Sequence, residues 1–303
     1  MCPACVATAA AIITGASSAG GLAALMLVTL GRRGRPADEA NQQETTMMQQ
    51  TIVTRGEWIA ARKELLIKEK ALTRAQDALS AERRRLPMVR IDKPYVFDTP
   101  TGQRTLADLF EGRSQLVVYH FMMGPDWVEG CASCSLLADH IDGMTAHLAH
   151  RDVTFAAVAR APLANIDAFK RRMGWQFTWV SSLGTDFNYD FHVSFTPDDL
   201  ANGRTEYNYS AAPFPIDEAP GVSVFYRDAS GQVFHTYSTY ARGGEALIGT
   251  YRILDLVPKG RDEDGLAFSM SWVRHHDQYG PDYANDPARL YAAPARTAPC
   301  CEP

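Results

Sequence analysis

The chain has 303 residues, 46% of them hydrophobic and 21% charged, with a formal net charge of −5. This is an ordinary globular composition, long enough for one large domain or two small ones. The mild negative charge gives no electrostatic footprint for nucleic acid, so nucleic acid is set aside as a partner. The six cysteines fall in three close pairs, Cys2/Cys5, Cys131/Cys134 and Cys300/Cys301. A secreted disulfide framework would scatter them, whereas close pairs suit redox or metal chemistry.

From Ala4 to Leu30 the sequence carries no charge, and the run ends in Arg32-Arg33-Gly34-Arg35. About 20 apolar residues suffice to span a bilayer, so residues 4–30 are a candidate membrane anchor. The basic residues after it place the bulk of the protein on the cytoplasmic side of an inner membrane; the alternative is a cytoplasmic protein with an appended segment. Residues 35–53 are polar and read as a linker. Thr54-Arg55-Gly56-Glu57 has the pattern of a capping box. Trp58, Leu65, Leu72, Leu79 and Leu86 follow at a spacing of seven, which predicts a long amphipathic helix over 54–88, ended by Pro87. Such a stripe can form a coiled coil; packing against the chain's own domain is the preferred expectation.

Tyr95–Leu109 reads as a strand, a glycine turn, a second strand and a helix start. The apolar run Leu116–Met123 predicts a buried strand, and a short loop leads from it to Cys131-Ala132-Ser133-Cys134. Apolar residues at Leu137, Ile141, Met144 and Leu148 then continue a helical pattern. A CxxC at a helix start is a redox arrangement: the free N–H groups favour negative charge, and only a thiolate is a nucleophile. The second cysteine lies one turn on, within reach of the first. A zinc reading would need Cys2 and Cys5 as further ligands from a separate segment, so no metal or cofactor is assigned.

Further strands are expected at Asp152–Val158 and Phe177–Ser181 around a helix at Ile166–Arg172, giving a parallel core. Residues 184–219 form a long aromatic insertion. Its Phe187, Tyr189, Phe191, Phe195, Tyr207, Tyr209 and Phe214 either line a groove or simply pack. A hairpin at 221–238 and a helix at Gly244–Leu256 follow; beyond Pro258 the chain turns polar, and the proline-rich tail 292–303 is expected to be disordered. Adjacent Cys300 and Cys301 would form a strained ring and are expected to be dispensable. His120 reads as a core residue and His275-His276 as surface, while His140 and His147 share a helix face.

This order resembles the thioredoxin-like superfamily: strand, CxxC, helix, strand, helix, antiparallel hairpin and final helix. The resemblance puts Pro220 at the position of the proline that faces the dithiol. It also gives Trp127 a role in the substrate surface, although that residue stands four positions ahead of Cys131 rather than adjacent. A closer likeness rests on Gly124-Pro125-Asp126-Trp127 with Gly130-Cys131, Arg160-Ala161-Pro162-Leu163, Arg172-Met173-Gly174-Trp175, Trp179-Val180-Ser181-Ser182 and Asp186-Phe187-Asn188-Tyr189-Asp190-Phe191. These strings resemble the bacterial "domain of unknown function 899" family over roughly residues 50–280. That family is described as thioredoxin-like and often labelled a dithiol-disulfide oxidoreductase without an established substrate. The first 46 residues lie outside the likeness and resemble small membrane proteins that begin with a CPxC-type motif, as in a fusion.

The sequence therefore predicts an α/β, thioredoxin-like fold: a central mixed sheet flanked by helices, an N-terminal transmembrane helix and a long amphipathic helix. Its segments are an anchor at 1–34, a linker at 35–53, the amphipathic helix at 54–88, the thioredoxin-like domain at 89–260 with its insertion at 184–219, and an extension at 261–303. The leading function is thiol-disulfide exchange by Cys131 and Cys134 on a protein or small-molecule disulfide, with electrons from a thiol reductant. The runner-up is a peroxiredoxin-like peroxidase with Arg160 orienting peroxide, against which counts the lack of a Thr between Pro125 and Cys131. A redox sensor or binding module without turnover is the third reading.

Overall fold

A computed structural model describes residues 50–266 and 268–280. The candidate anchor, Cys2, Cys5, Cys300, Cys301 and the proline-rich tail lie outside the described residues. Among the described residues no helix is long and apolar enough to cross a membrane.

Three strands run parallel at the centre: β4 (Gln115–His120), β5 (Val153–Ala159) and β6 (Thr178–Ser181). The first crossover carries α2 (Ala132–Ala138) and α3 (Asp142–His150), and the second carries α4 (Leu163–Arg172). On the other side of β4, β9 (Gly221–Arg227) pairs antiparallel, followed by β10 (Val233–Tyr240) and the short β1 (Val89–Arg90). At the far edge a hairpin of β2 (Val96–Thr99) and β3 (Gly102–Thr105) docks antiparallel on β6. A final α7 (Gly249–Leu254) completes the parallel βαβ unit plus antiparallel hairpin of a thioredoxin-like α/β fold, in an eight-stranded mixed sheet.

Successive residues of β4 point to opposite faces, as the strand pleat requires. Tyr119 and Phe121 enter one core with α2, α4 and α7; Leu116 and Val118 enter the other, under Leu109, Phe110, Phe187 and Phe191. The strand itself ends at His120, short of the predicted Met123, but Phe121 N–H still donates to Val158 O at 2.9 Å.

The structure corrects several expectations. The helix begun by the CxxC is broken: His140 and Ile141 N–H bond back only three residues, to Leu137 and Ala138. Asp142 then opens α3 with its carboxylate turned to the backbone N–H groups of Gln176 and Phe177, just ahead of β6. The 244–256 helix is interrupted at Ile248, between a 3-10 stretch, Ala241–Leu247, and α7. His140 accepts from Thr250 N–H at 2.7 Å, and a Cβ on Gly249 would stand 3.0 Å from its ring. Burial lowers the pKa of His140, consistent with a neutral acceptor that caps α7. The insertion is ordered as α5 (Phe187–Asp190), α6 (Pro197–Ala201) and a hairpin of β7 (Thr205–Tyr207) and β8 (Ser210–Ala212).

The largest correction concerns α1 (Arg55–Arg83). The capping box forms, with Glu57 N–H donating to Thr54 Oγ1 and Thr54 N–H to Glu57 Oε2. The helix does not, however, lay its stripe on the domain. No residue of α1 is buried, and Trp58, Leu65, Leu72 and Leu79 are all exposed.

Candidate functional site

β4 is where the sheet changes from parallel to antiparallel neighbours, and the loop from its C-terminal end carries the CxxC. Open α/β sheets bind ligands in the crevice beyond the carboxyl ends of their parallel strands. Gly124-Pro125-Asp126-Trp127 makes a turn, closed by Trp127 N–H on Gly124 O at 3.1 Å. The Trp127 ring folds back so closely that a Cβ on Gly124 would lie 2.9 Å from its Nε1. Cys131 is the N-cap of α2, and its N–H is fixed on Met122 O at 3.0 Å. Cys134 follows one turn later; both are thiols, and both are buried.

Cys131 and Cys134 line a cleft of about 1560 Å³ together with Tyr119, Met122, Pro220 and Tyr251. Tyr119 Oη comes to 3.5 Å from the Cys134 carbonyl. Burial, with the two sulfurs beside it, pushes the phenol's pKa well above its ordinary value, so Tyr119 keeps its proton. On the far wall Glu263 Oε1 accepts from Tyr251 Oη (2.7 Å), Trp272 Nε1 (2.6 Å) and Met270 N (3.0 Å). This ties the polar C-terminal segment into the cleft.

That segment also clasps the CxxC loop from outside. Val273 and His275 are buried, which corrects the surface reading of His275. His275 Nε2 lies 2.8 Å from the carbonyl of Gly130, the residue ahead of Cys131. Arg172 at the end of α4 donates to Asp277 through Nε and Nη2 (2.7 and 2.9 Å) and to Glu129 through Nη1. Its Nη2 also stands 3.4 Å from His275 Nδ1. Asp277 raises the pKa of Arg172, and Arg172 lowers that of Asp277. His276 is held too: its Nδ1 is 2.8 Å from Asp139 Oδ1, which also accepts from Trp175 Nε1, and this contact raises its pKa.

Gly130 is the tightest point of this clasp. A Cβ there would lie 2.5 Å from Phe121 Cε1 and 2.8 Å from Phe169 Cε1, both in buried rings. Gly130→Ala should therefore cost about 1–3 kcal/mol by overpacking. Urea unfolding checks this: the midpoint should fall with the slope unchanged.

Residues 47–279 match the family described as "Bacterial protein of unknown function (DUF899)". The chain belongs to this family. No curated protein matches it. Among solved structures it is similar to a peroxidoxin, BcpB, from Mycobacterium tuberculosis, at 13% identity and a TM-score of 0.35, over 55% of this chain and 96% of that one. It is also similar to peroxiredoxin Q of Xanthomonas campestris, at 13% identity and a TM-score of 0.36, over 55% and 97% of the two chains. A mitochondrial 2-Cys peroxiredoxin from Plasmodium falciparum gives 14% identity and a TM-score of 0.33, over 56% and 95%.

The DUF899 strings interlock in space. Arg160 Nη1 donates to Tyr189 Oη at 2.6 Å, Ser182 Oγ to Asn188 Oδ1 at 2.8 Å, and Trp175 closes on Asp139. Of the residues singled out in the sequence, Cys131, Cys134 and Pro220 line the cleft, whereas Trp127 stands over Gly124 and is not among its lining residues. Every described peptide bond is trans, the Ala219–Pro220 bond included. Arg160 is not at the cleft either; its Nε faces Glu218 Oε1 at 3.3 Å. Of the insertion's aromatics, Phe187, Phe191 and Phe195 pack inside, while Tyr207 and Phe214 reach the cleft. Sequence reading missed Tyr119, Arg172, Glu263 and His275. An acidic residue in the CxxC loop facing a basic helix end was the one available hint, and 43 residues separate Glu129 from Arg172.

Among the described residues no three His, Cys, Asp or Glu side chains converge as a metal site requires. His120 is a core residue as expected: its Nε2 lies 2.8 Å from Ser223 Oγ, and burial lowers its pKa to about 3.

Proposed function

We propose that this DUF899 protein is a dithiol-disulfide oxidoreductase working through Cys131 and Cys134. The observation that carries the reading is that both cysteines, one helical turn apart at the start of α2, line one cleft beyond the carboxyl end of β4. The unpaired N–H groups of the first turn favour a thiolate on Cys131. That thiolate attacks one sulfur of a substrate disulfide, forming a mixed disulfide and expelling the other sulfur as a thiolate. The Cys134 thiolate then attacks the Cys131 sulfur, releasing the second substrate thiol and leaving a Cys131–Cys134 disulfide. Two electrons pass from the dithiol to the substrate, and a thiol reductant returns them. Tyr119, held protonated beside both sulfurs, supplies a donor to a departing or waiting thiolate. Pro220 forms part of the surface the substrate meets.

A thiol peroxidase is the second reading, resting on the same cysteine at the N-cap of α2. Fold alone does not carry an activity. The test is thiol titration with peptide mapping, which separates Cys131/Cys134 from the other cysteines. A small disulfide should oxidise the pair, and a thiol reductant with its reductase or glutathione should restore it over repeated cycles. Turnover of hydrogen peroxide exceeding that of the disulfide would favour the peroxidase. A pair that never cycles with either oxidant would sink both.

A further inference from the structure

We propose that Glu263 selects the substrate of the dithiol by receiving an ammonium or guanidinium group carried beside the disulfide, so that cationic disulfides react in preference to anionic ones. The inference rests on the exchange reading above and adds the class of disulfide. Glu263 lines the same cleft as Cys131 and Cys134. Its Oε1 accepts from Tyr251 Oη, Trp272 Nε1 and Met270 N–H. Tyr251, Trp272 and Met270 in turn belong to the apolar cluster that encloses both cysteines. The carboxylate is therefore fixed relative to the dithiol, which a free surface side chain would not be.

All three donors are neutral. Burial, with the bond to Glu263, pushes the Tyr251 phenol above its ordinary pKa, so Tyr251 keeps its proton and remains a donor. Among the described residues no donor reaches Glu263 Oε2, and no Lys or Arg forms an ion pair with either oxygen. The residue is half-buried, yet Oε2 is open to solvent. A partly desolvated carboxylate without a cation gains most when one arrives.

The other charges of the cleft do not fill this role. Arg242 and Arg261 close on Glu245 at 2.8 and 3.1 Å, and Arg261 also on Asp255 at 2.8 Å. The Arg261 guanidinium is held further over the Tyr251 ring, 4.0 Å from its centroid. Among the described residues lining the cleft, that leaves Lys259 against Asp262, Glu263 and Asp264. Lys259, Asp262 and Asp264 are exposed, where salt screens them. Glu263 is the one of the four that is both half-buried and pinned. The cleft's unpaired charge is negative, so it repels an anionic disulfide as Glu263 draws a cationic one.

The experiment measures how fast the reduced full chain loses its Cys131 and Cys134 thiols to cystamine, which carries two ammonium groups, and to oxidised glutathione, which is anionic. Each rate is divided by that disulfide's rate with 2-mercaptoethanol, which removes its intrinsic reactivity. Cystamine should be preferred by about tenfold at low ionic strength, and by less in high salt. Glu263→Gln keeps an oxygen for the three donors but not the charge, and should cut the preference by about fivefold, the upper range of an exposed ion pair. Iodoacetamide, a neutral probe, should label Cys131 of the variant at the parent's rate. A change in that rate equal to the change with cystamine would place the effect on the dithiol and overturn the proposal. So would equal normalised rates for the two disulfides, or a preference that survives Glu263→Gln. If neither disulfide oxidises the pair, the exchange reading falls and this inference with it. Disulfide-linked Gly-Lys-Cys and Gly-Glu-Cys peptides, capped at both ends, locate the source of the cation. A Glu263-dependent preference for the lysine peptide assigns it to a basic peptide, and one confined to cystamine assigns it to a small amine.

Discussion

Replacing Cys131 with serine should reduce disulfide exchange to the uncatalysed background, whereas replacing Cys134 should trap the substrate on Cys131. The asymmetry follows from position. Cys131 is the N-cap, at the mouth of the first helical turn, and Cys134 sits a turn inside, with 5% and 2% of their surfaces exposed. The oxygen of a serine cannot form the mixed disulfide, so Cys131→Ser leaves no first step. Cys134→Ser leaves the first step intact and removes the sulfur that resolves it. The measurement is intact mass after reaction with oxidised glutathione. Cys134→Ser should gain one glutathione, mapped to Cys131, and Cys131→Ser should gain none at the dithiol. Iodoacetamide on the parent should label Cys131 before Cys134. Both rates should be slow, because both thiols are buried, and Gly130→Ala should speed them by loosening the loop that His275 and Arg172 hold. Labelling of Cys134 first, or full activity in both single variants, would favour a binding or sensor module.

The parts of this site that were legible in the sequence are the local ones. The run through Leu116–His120, the loop and the cysteine spacing lie within twenty residues of one another, and each leaves a periodic or compositional trace. The β9–β10 hairpin and the helix at α4 were legible for the same reason. The clasp left no such trace. His275 and Gly130 are 145 residues apart, and His275 lies in a stretch whose composition looks like an exposed tail. Its burial depends on Val273 entering the core and on Arg172 arriving from α4, neither of which has a periodicity. The break between α2 and α3 was hidden in the same way, since apolar spacing continues through it while Asp139 and Asp142 turn to partners in the turn between α4 and β6 and in the C-terminal segment. For α1 the stripe was legible but not what it faces. Period reports that a face exists; only the third dimension reports whether the chain's own domain fills it.

Arg160→Ala should destabilise the fold, and more above about pH 8, where Glu218 ionises, than in acid. Glu218 is 1% exposed, in the segment that leads to Pro220 and β9. Ser194 Oγ donates to its Oε2 at 2.9 Å. Arg160 Nε stands 3.3 Å from Oε1, near enough to attract it but without the alignment of a hydrogen bond, so Oε1 has no donor. Burial therefore outweighs the pull of Arg160, and the pKa of Glu218 is raised from 4.5 to about 8. Below about pH 4.5 both folded and unfolded chains hold this proton. Between 4.5 and 8 the unfolded chain has lost it and the folded chain keeps it, so unfolding releases a proton. The contribution of Glu218 to stability is thus full in acid and is lost as the pH rises through about 8. Glu218→Gln keeps the shape and the Ser194 contact but cannot ionise, so its Tm should approach the parent's at pH 5 and exceed it at pH 8. Arg160→Ala should move the other way, because it removes the cation facing the buried carboxylate together with the stacking and hydrogen bond on Tyr189. Melting curves of the three proteins at pH 5 and pH 8 decide the matter. Equal differences between Glu218→Gln and the parent at the two values would mean that Glu218 carries no such proton and that the pair is a fixed ion pair throughout.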